Sequence, residues 1–196
     1  MRAMVVYESM FGNTREIAQR VADGLRRHME VEVFEVGEAP QGLGGIDLLV
    51  VGAPTHAFGL SRAKARADLA EKEEIISGGV GIREWLEGVT FGSRSTAAAA
   101  LTTIVDKPQW VRRLGTAGRV LDRRLEDLGL RLLSPAARFE VAGMKGPVVS
   151  GEAERAEAWG EELALKLKGV DPKRATILRS SGAEGRQSPT GRTERN

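Results

Sequence analysis

The chain of 196 residues has no cysteine, one tyrosine and two widely separated histidines, His28 and His56. Without cysteine there are no disulfides, no thiolate catalysis and no cysteine-ligated metal or iron–sulfur centre. Two distant histidines weigh against a structural zinc site, and no metal ligand is assigned. No apolar run approaches the roughly 20 residues of a membrane span. A strand-like run starts directly after the first residues, where a signal peptide would place a charged region and then a long apolar one. The expected location is therefore the cytoplasm.

A strong charge of either sign is also missing, because 29 Lys and Arg face 27 Asp and Glu. The small basic surplus is local. From residue 169 onward six basic residues stand against three acidic ones, which leaves 23 basic and 24 acidic residues in 1–168. The segment 169–196 is poor in apolar residues, carries SSGAEG and SPTG, and reads as a disordered extension. Its charges are few and aromatics are absent, so nucleic-acid binding is not expected. With 41% apolar residues the remainder can bury one sizeable core. The expected organisation is one domain over 1–168 and a basic tail over 169–196.

What is present is concentrated at the start, in VVYESMFGNTREI at residues 5–17. Val5, Val6 and Tyr7 suit a strand buried on both faces. Ile17, Ala18, Val21, Ala22 and Leu25 then recur at helical spacing opposite Arg15, Glu16, Gln19, Arg20 and Asp23. Asn13 or Thr14 can cap this helix, with Glu16 completing a capping box after Asn13. The first N–H groups of a helix lack intrahelical partners, so a turn rich in glycine and hydroxyls before one can hold an anion. No Lys or Arg lies between Tyr7 and Thr14, and the GxxxxGK[ST] pattern is absent, so this is no Walker loop. An ordinary capped turn without a ligand fits the stretch equally well, and the choice depends on a second site.

Further strands are expected at 31–36 (VEVFEV), 46–52 (IDLLVVG), 95–101 (STAAAAL) and within 131–141. Helices are expected around 117–128 and 152–167. Strands alternating with helices define an α/β fold with a doubly wound, five-stranded, mostly parallel sheet. In such sheets a ligand sits beyond the carboxyl ends of the strands, where the winding reverses. The loops after strands one, three and four would converge there. The second of them is GAPTHAFGLS at 52–61, combining a rigid corner at Pro54 with Thr55, His56 and Phe58, and the third begins at Leu101.

These residues resemble the flavodoxin-like family. Val5, Val6, Tyr7, Ser9, Gly12, Thr14, Ala18 and Val21 fit its N-terminal signature, and LLVVGAPTHAFG at 48–59 is similar to its second flavin loop. Flavodoxin is itself the type example of the strand order 2-1-3-4-5 with FMN at the switch point. The resemblance thus implies that order, a three-layer α/β/α arrangement and FMN as cofactor. It implies a phosphate cradle at Ser9, Met10, Phe11, Gly12, Asn13 and Thr14, including the Asn13 amide. It places the flavin ring beside Pro54, Thr55, His56, Ala57, Phe58 and Gly59, with Leu101, Thr102 and Thr103 on its other face or pyrimidine edge. Trp110 is assigned to packing at the loop base.

The implied function is a redox protein that passes electrons between a reductase and an acceptor. Alternatives are an NAD(P)H-dependent quinone reductase or protoporphyrinogen-oxidase-like flavoenzyme. Phe11 and the Thr102–Thr103–Ile104 run depart from the family pattern, which keeps a non-redox binding module as a third reading. His56 is assigned to stacking or loop packing, and no catalytic acid, base or nucleophile is assigned. The implied partners are a redox protein or NAD(P)H, and the oligomeric state is left open. The charged segment 61–76 reads as a solvated helix or lid, or as a site where Arg62, Lys64 and Arg66 attract an anion.

Overall fold

The computed structural model describes residues 1–56, 59–92, 96–105 and 117–170. In chain order the elements are β1 (Arg2–Tyr7), α1 (Asn13–Arg26), β2 (Glu30–Glu35), β3 (Gly42–Leu43), β4 (Leu48–Pro54), α2 (Ala63–Ala70) and α3 (Ile82–Gly88). They continue with β5 (Thr90–Phe91), β6 (Ala97–Val105), α4 (Ala117–Asp127), β7 (Arg131–Leu132), β8 (Ala137–Val141) and α5 (Glu152–Leu167). The main sheet is parallel throughout and runs β2-β1-β4-β6, with both β7 and β8 on the far edge of β6. β7 pairs with Ala97–Ala98 and β8 with Leu101–Val105, so the expected fifth strand exists in two pieces. Counting that pair as one strand gives the order 2-1-3-4-5. The break falls at Leu133–Ala136, where Pro135 has no N–H to give to a ladder. β3 and β5 form a separate two-stranded parallel patch.

Helices cover both faces of the sheet. On one side Ile17, Val21 and Leu25 of α1 and Leu163 of α5 pack on Val5, Val50, Ala99 and Leu101. On the other, Trp85 and Leu86 of α3 and Leu121 and Leu125 of α4 pack on Val6, Leu49, Val51 and Ala100. Ala97–Ala100, of low strand propensity, form the centre of the sheet because helices bury both of their faces. α1 and α5 meet backbone to backbone: a Cβ on Gly24 would lie 2.0 Å from the Glu157 carbonyl oxygen, and one on Gly160 would lie 2.2 Å from that of Val21. His28, just beyond α1, faces Glu161 of α5 with Nε2 and Oε1 3.4 Å apart. Among the described residues no helix is long and apolar enough to cross a membrane. Trp110 and residues 171–196 lie outside the described residues.

Candidate functional site

The winding reverses between β1 and β4, and the loops after them open at the same end of the sheet. A cleft of about 250 Å³ lies there, lined by Ser9, Met10, Phe11, Asn13, Thr14, Pro54, Thr55, His56, Leu69, Thr103, Val105, Val141 and Met144.

The first turn is built differently from the expected capping box. Gly12 is the N-cap of α1, at φ 96°, and no side chain bonds in the usual capping position. That left-handed conformation is cheap only for glycine. The Ser9 hydroxyl does the work of the cap by accepting from the N–H groups of Gly12 (3.1 Å) and Arg15 (3.3 Å). Asn13 is already helical, and its amide donates to the Met144 carbonyl at 3.0 Å, tying the turn to the loop after β8. Among the described residues the N–H groups of Met10, Phe11, Asn13 and Thr14 have no acceptor. For the last two this follows from their place at the helix start.

Thr14 and Thr103 join the first turn to β6 through hydroxyl oxygens 2.8 Å apart, both buried. Only one of two paired hydroxyls donates to the other, so one proton remains for a third group. The Thr55 N–H donates to the Thr103 carbonyl at 2.9 Å, which brings the second loop to the same strand end. His56 and Gly59 exchange backbone hydrogen bonds of 2.9 and 2.6 Å. Ala57 and Phe58, the other second-loop residues assigned from sequence, lie outside the described residues. The His56 Nε2 is buried with no partner among the described residues. Burial lowers the His56 pKa, the Glu8 carboxylate opposes this and the Arg66 guanidinium adds to it, so the imidazole is neutral at pH 7.

Leu101 and Thr102 are not in the cleft. β6 runs on to Val105, so the third loop starts later than expected and these two residues belong to the strand. Leu101 points into the core beneath Gly52 and Thr14, while the wholly buried Thr102 is on the opposite face near Gly118 of α4, its hydroxyl without a partner among the described residues. Only Thr103 of the three lines the cleft.

Leu69, Val105, Val141 and Met144 are cleft residues that sequence reasoning missed. Val105 follows Thr103 at strand period and Leu69 is the one leucine in a charged helix, so both left a signal. Val141 arrives through the pairing of β8 with β6 and Met144 in the loop that follows, and neither leaves one. Arg66, read from sequence as a surface cation, is only 1% exposed. Behind the second loop it pairs with Glu84 at 2.9 Å, and Glu8, also fully buried, accepts from the Ile82 N–H at 2.9 Å. Burial works to raise the Glu84 carboxyl, but backbone N–H groups and Arg66 outweigh it and hold the group below its usual value. Among the described residues no cluster of three or more His, Asp or Glu is arranged to hold a metal ion.

A doubly wound α/β protein with free N–H groups at its switch point and a cleft of mixed polar and apolar lining beside them belongs to the class that binds anionic cofactors at that point. Within that class the chain belongs to the flavodoxin family, which it matches over residues 5–159. FMN is the cofactor of that family. Similar solved structures include a flavodoxin from the domain Archaea, at 15% identity and TM-score 0.57, with 86% of this chain and 99% of that one covered. A flavodoxin, WrbA-like protein from Agrobacterium tumefaciens aligns at 18% identity and TM-score 0.55, covering 87% and 99%. Rubredoxin oxygen:oxidoreductase from Desulfovibrio gigas aligns at 15% identity and TM-score 0.56, covering 86% of this chain and 36% of that one. At such identities the likeness is one of fold. No curated protein sequence gives a significant match.

Proposed function

We propose that this flavodoxin-family protein binds FMN in the cleft between its first two loops and passes electrons between a reductase and an acceptor. The observation that carries the reading is the set of N–H groups at Met10, Phe11, Asn13 and Thr14 left without acceptors among the described residues, in residues that line or adjoin the cleft that His56 also lines. These donors suit a phosphate. In this reading the turn holds the phosphate with its backbone N–H groups and with no Lys or Arg of its own between Tyr7 and Thr14, helped by the spare proton of the Thr14–Thr103 pair and by Gly12, which gives the backbone its path. Ser9 shapes the turn. Pro54, Thr55, His56 and Gly59, with Ala57 and Phe58, border the ring, and Leu69, Val105, Val141 and Met144 supply apolar walls that exclude water.

FMN, when bound, supplies one- and two-electron redox chemistry, and the protein's part is to bind, orient and surround it. His56, neutral at pH 7, can donate to or accept from the ring edge without adding a charge. Leu101 and Thr102 support the strand behind the cleft.

The test is the visible spectrum of the purified protein after incubation with FMN and desalting, for wild type and for Gly12→Val and Thr14→Val. Retained flavin in the wild type and its loss in both variants is the expected result. Flavin held equally well by the variants would remove the phosphate assignment, and a colourless wild type would remove the redox reading altogether. Adding NADPH to the loaded protein separates carrier from enzyme, since a carrier is not bleached by NADPH alone.

A further inference from the structure

The segment 61–81 joins the second loop to α3, and one side chain anchors it. Arg66 donates to the Ser61 hydroxyl (2.7 Å), the Gly79 carbonyl (2.9 Å) and the Glu84 carboxylate (2.9 Å), tying the start and end of the segment to α3. From this base the chain reaches the first turn. The Ile76 N–H donates to the Met10 carbonyl and the Ser77 N–H to the Ser9 carbonyl, both at 3.0 Å. The Ser9 N–H in return donates to the Ser77 hydroxyl oxygen at 2.9 Å. Ser77 is 2% exposed, and its hydroxyl donates to Glu35 Oε1 at 2.5 Å, while Glu35 Oε2 accepts from the Gly37 N–H at 2.7 Å.

A hydroxyl has a single proton, and a carboxylate offers only acceptors. The Ser77 proton is therefore committed to Glu35, which turns a lone pair of the same oxygen toward the Ser9 N–H. Ser9 is consequently held at its N–H and its carbonyl by Ser77, and its hydroxyl is held by the N–H groups of Gly12 and Arg15. The residues with free N–H groups start from this fixed point. Ser77 itself does not line the cleft.

We propose that Ser77, oriented by Glu35, is a positioning residue for phosphate recognition: it sets the first turn in its anion-accepting form before a ligand arrives. An array of backbone donors binds tightly only when ordering it costs little at the moment of binding, and a partly buried charge-assisted bond keeps that cost low. The segment 61–81 thus acts as a brace on the turn. The inference rests on the turn being the phosphate cradle, and the test separates the two.

FMN and riboflavin differ only in the phosphate. Their dissociation constants are measured by flavin fluorescence titration of the FMN-free protein for wild type, Ser77→Ala and Glu35→Ala, with circular dichroism to check folding. The expected result is FMN affinity about tenfold weaker in both variants, as for loss of one buried hydrogen bond, with riboflavin affinity unchanged. Equal weakening for both ligands would mean general loosening and would overturn the proposal, as would unchanged FMN affinity in both variants. If Ser77→Ala does not fold, Glu35→Ala decides alone. A wild type that binds FMN no more tightly than riboflavin would instead remove the cradle reading, and this proposal with it.

Discussion

At the scale of single residues, the cleft depends on atoms whose partners are missing or shared. Ser9 was legible as a turn residue because hydroxyls compete for helix-start N–H groups. That its side chain caps the helix while Asn13 reaches across to Met144 was not, since the distance from Asn13 to the carbonyl it meets spans 131 positions. His56 was legible as a loop residue, and its buried Nε2 was not. Its lowered pKa has a consequence with a definite sign. The unfolded imidazole takes up a proton near its ordinary value of 6.5, whereas the folded one resists until lower pH. Stability of the FMN-free protein should thus be complete above pH 6.5 and decline as pH falls below it, because the unfolded state binds the proton first. Thermal melts between pH 7.5 and 5.0 should show this slope in wild type and a shallower one in His56→Gln. Parallel slopes in the two proteins would disprove a buried neutral His56.

At the scale of elements, amphipathic spacing marked α1 and α5 plainly, but Gly24 and Gly160 carried no signal for their role. A glycine inside a helix reads only as a weakness. Its use becomes visible once two helices are packed, because a Cβ at either position would collide with a carbonyl oxygen of the neighbouring helix. Gly160→Ala should therefore destabilise the fold by roughly 1–3 kcal/mol, the usual cost of overpacking, despite the better helix propensity of alanine. Chemical denaturation measures this directly, and an unchanged or raised midpoint would show that the helices can separate at no cost. The same logic applies to α2. Its sequence suggests a solvated charged helix, and most of it is exposed, yet Arg66 turns inward because Ser61, Gly79 and Glu84 offer an acceptor to each of its three side-chain nitrogens. Burying a guanidinium demands such pairing.

For the molecule as a whole, the near neutrality of residues 1–168 and the basic surplus beyond them pose the question of what the tail contributes. We propose that residues 1–168 are sufficient for folding and flavin binding, since α5 closes at Leu167. A chain ending at residue 168 should keep its melting temperature within about 2 °C and should retain FMN affinity. A large drop in either would place the tail within the functional unit.

The α/β class, the doubly wound sheet and the two loops that meet were legible in the chain's local pattern, because period, β-branched runs and turn residues are local properties, and the family was legible only through the resemblance of those two loops. The tertiary structure alone decided which atoms of those loops remain free. It paired Thr14 with Thr103, moved Leu101 and Thr102 out of the cleft by extending β6, buried Arg66, and set Ser77 against Ser9. Each of these depends on a contact between positions far apart in the chain, and local pattern does not encode such contacts.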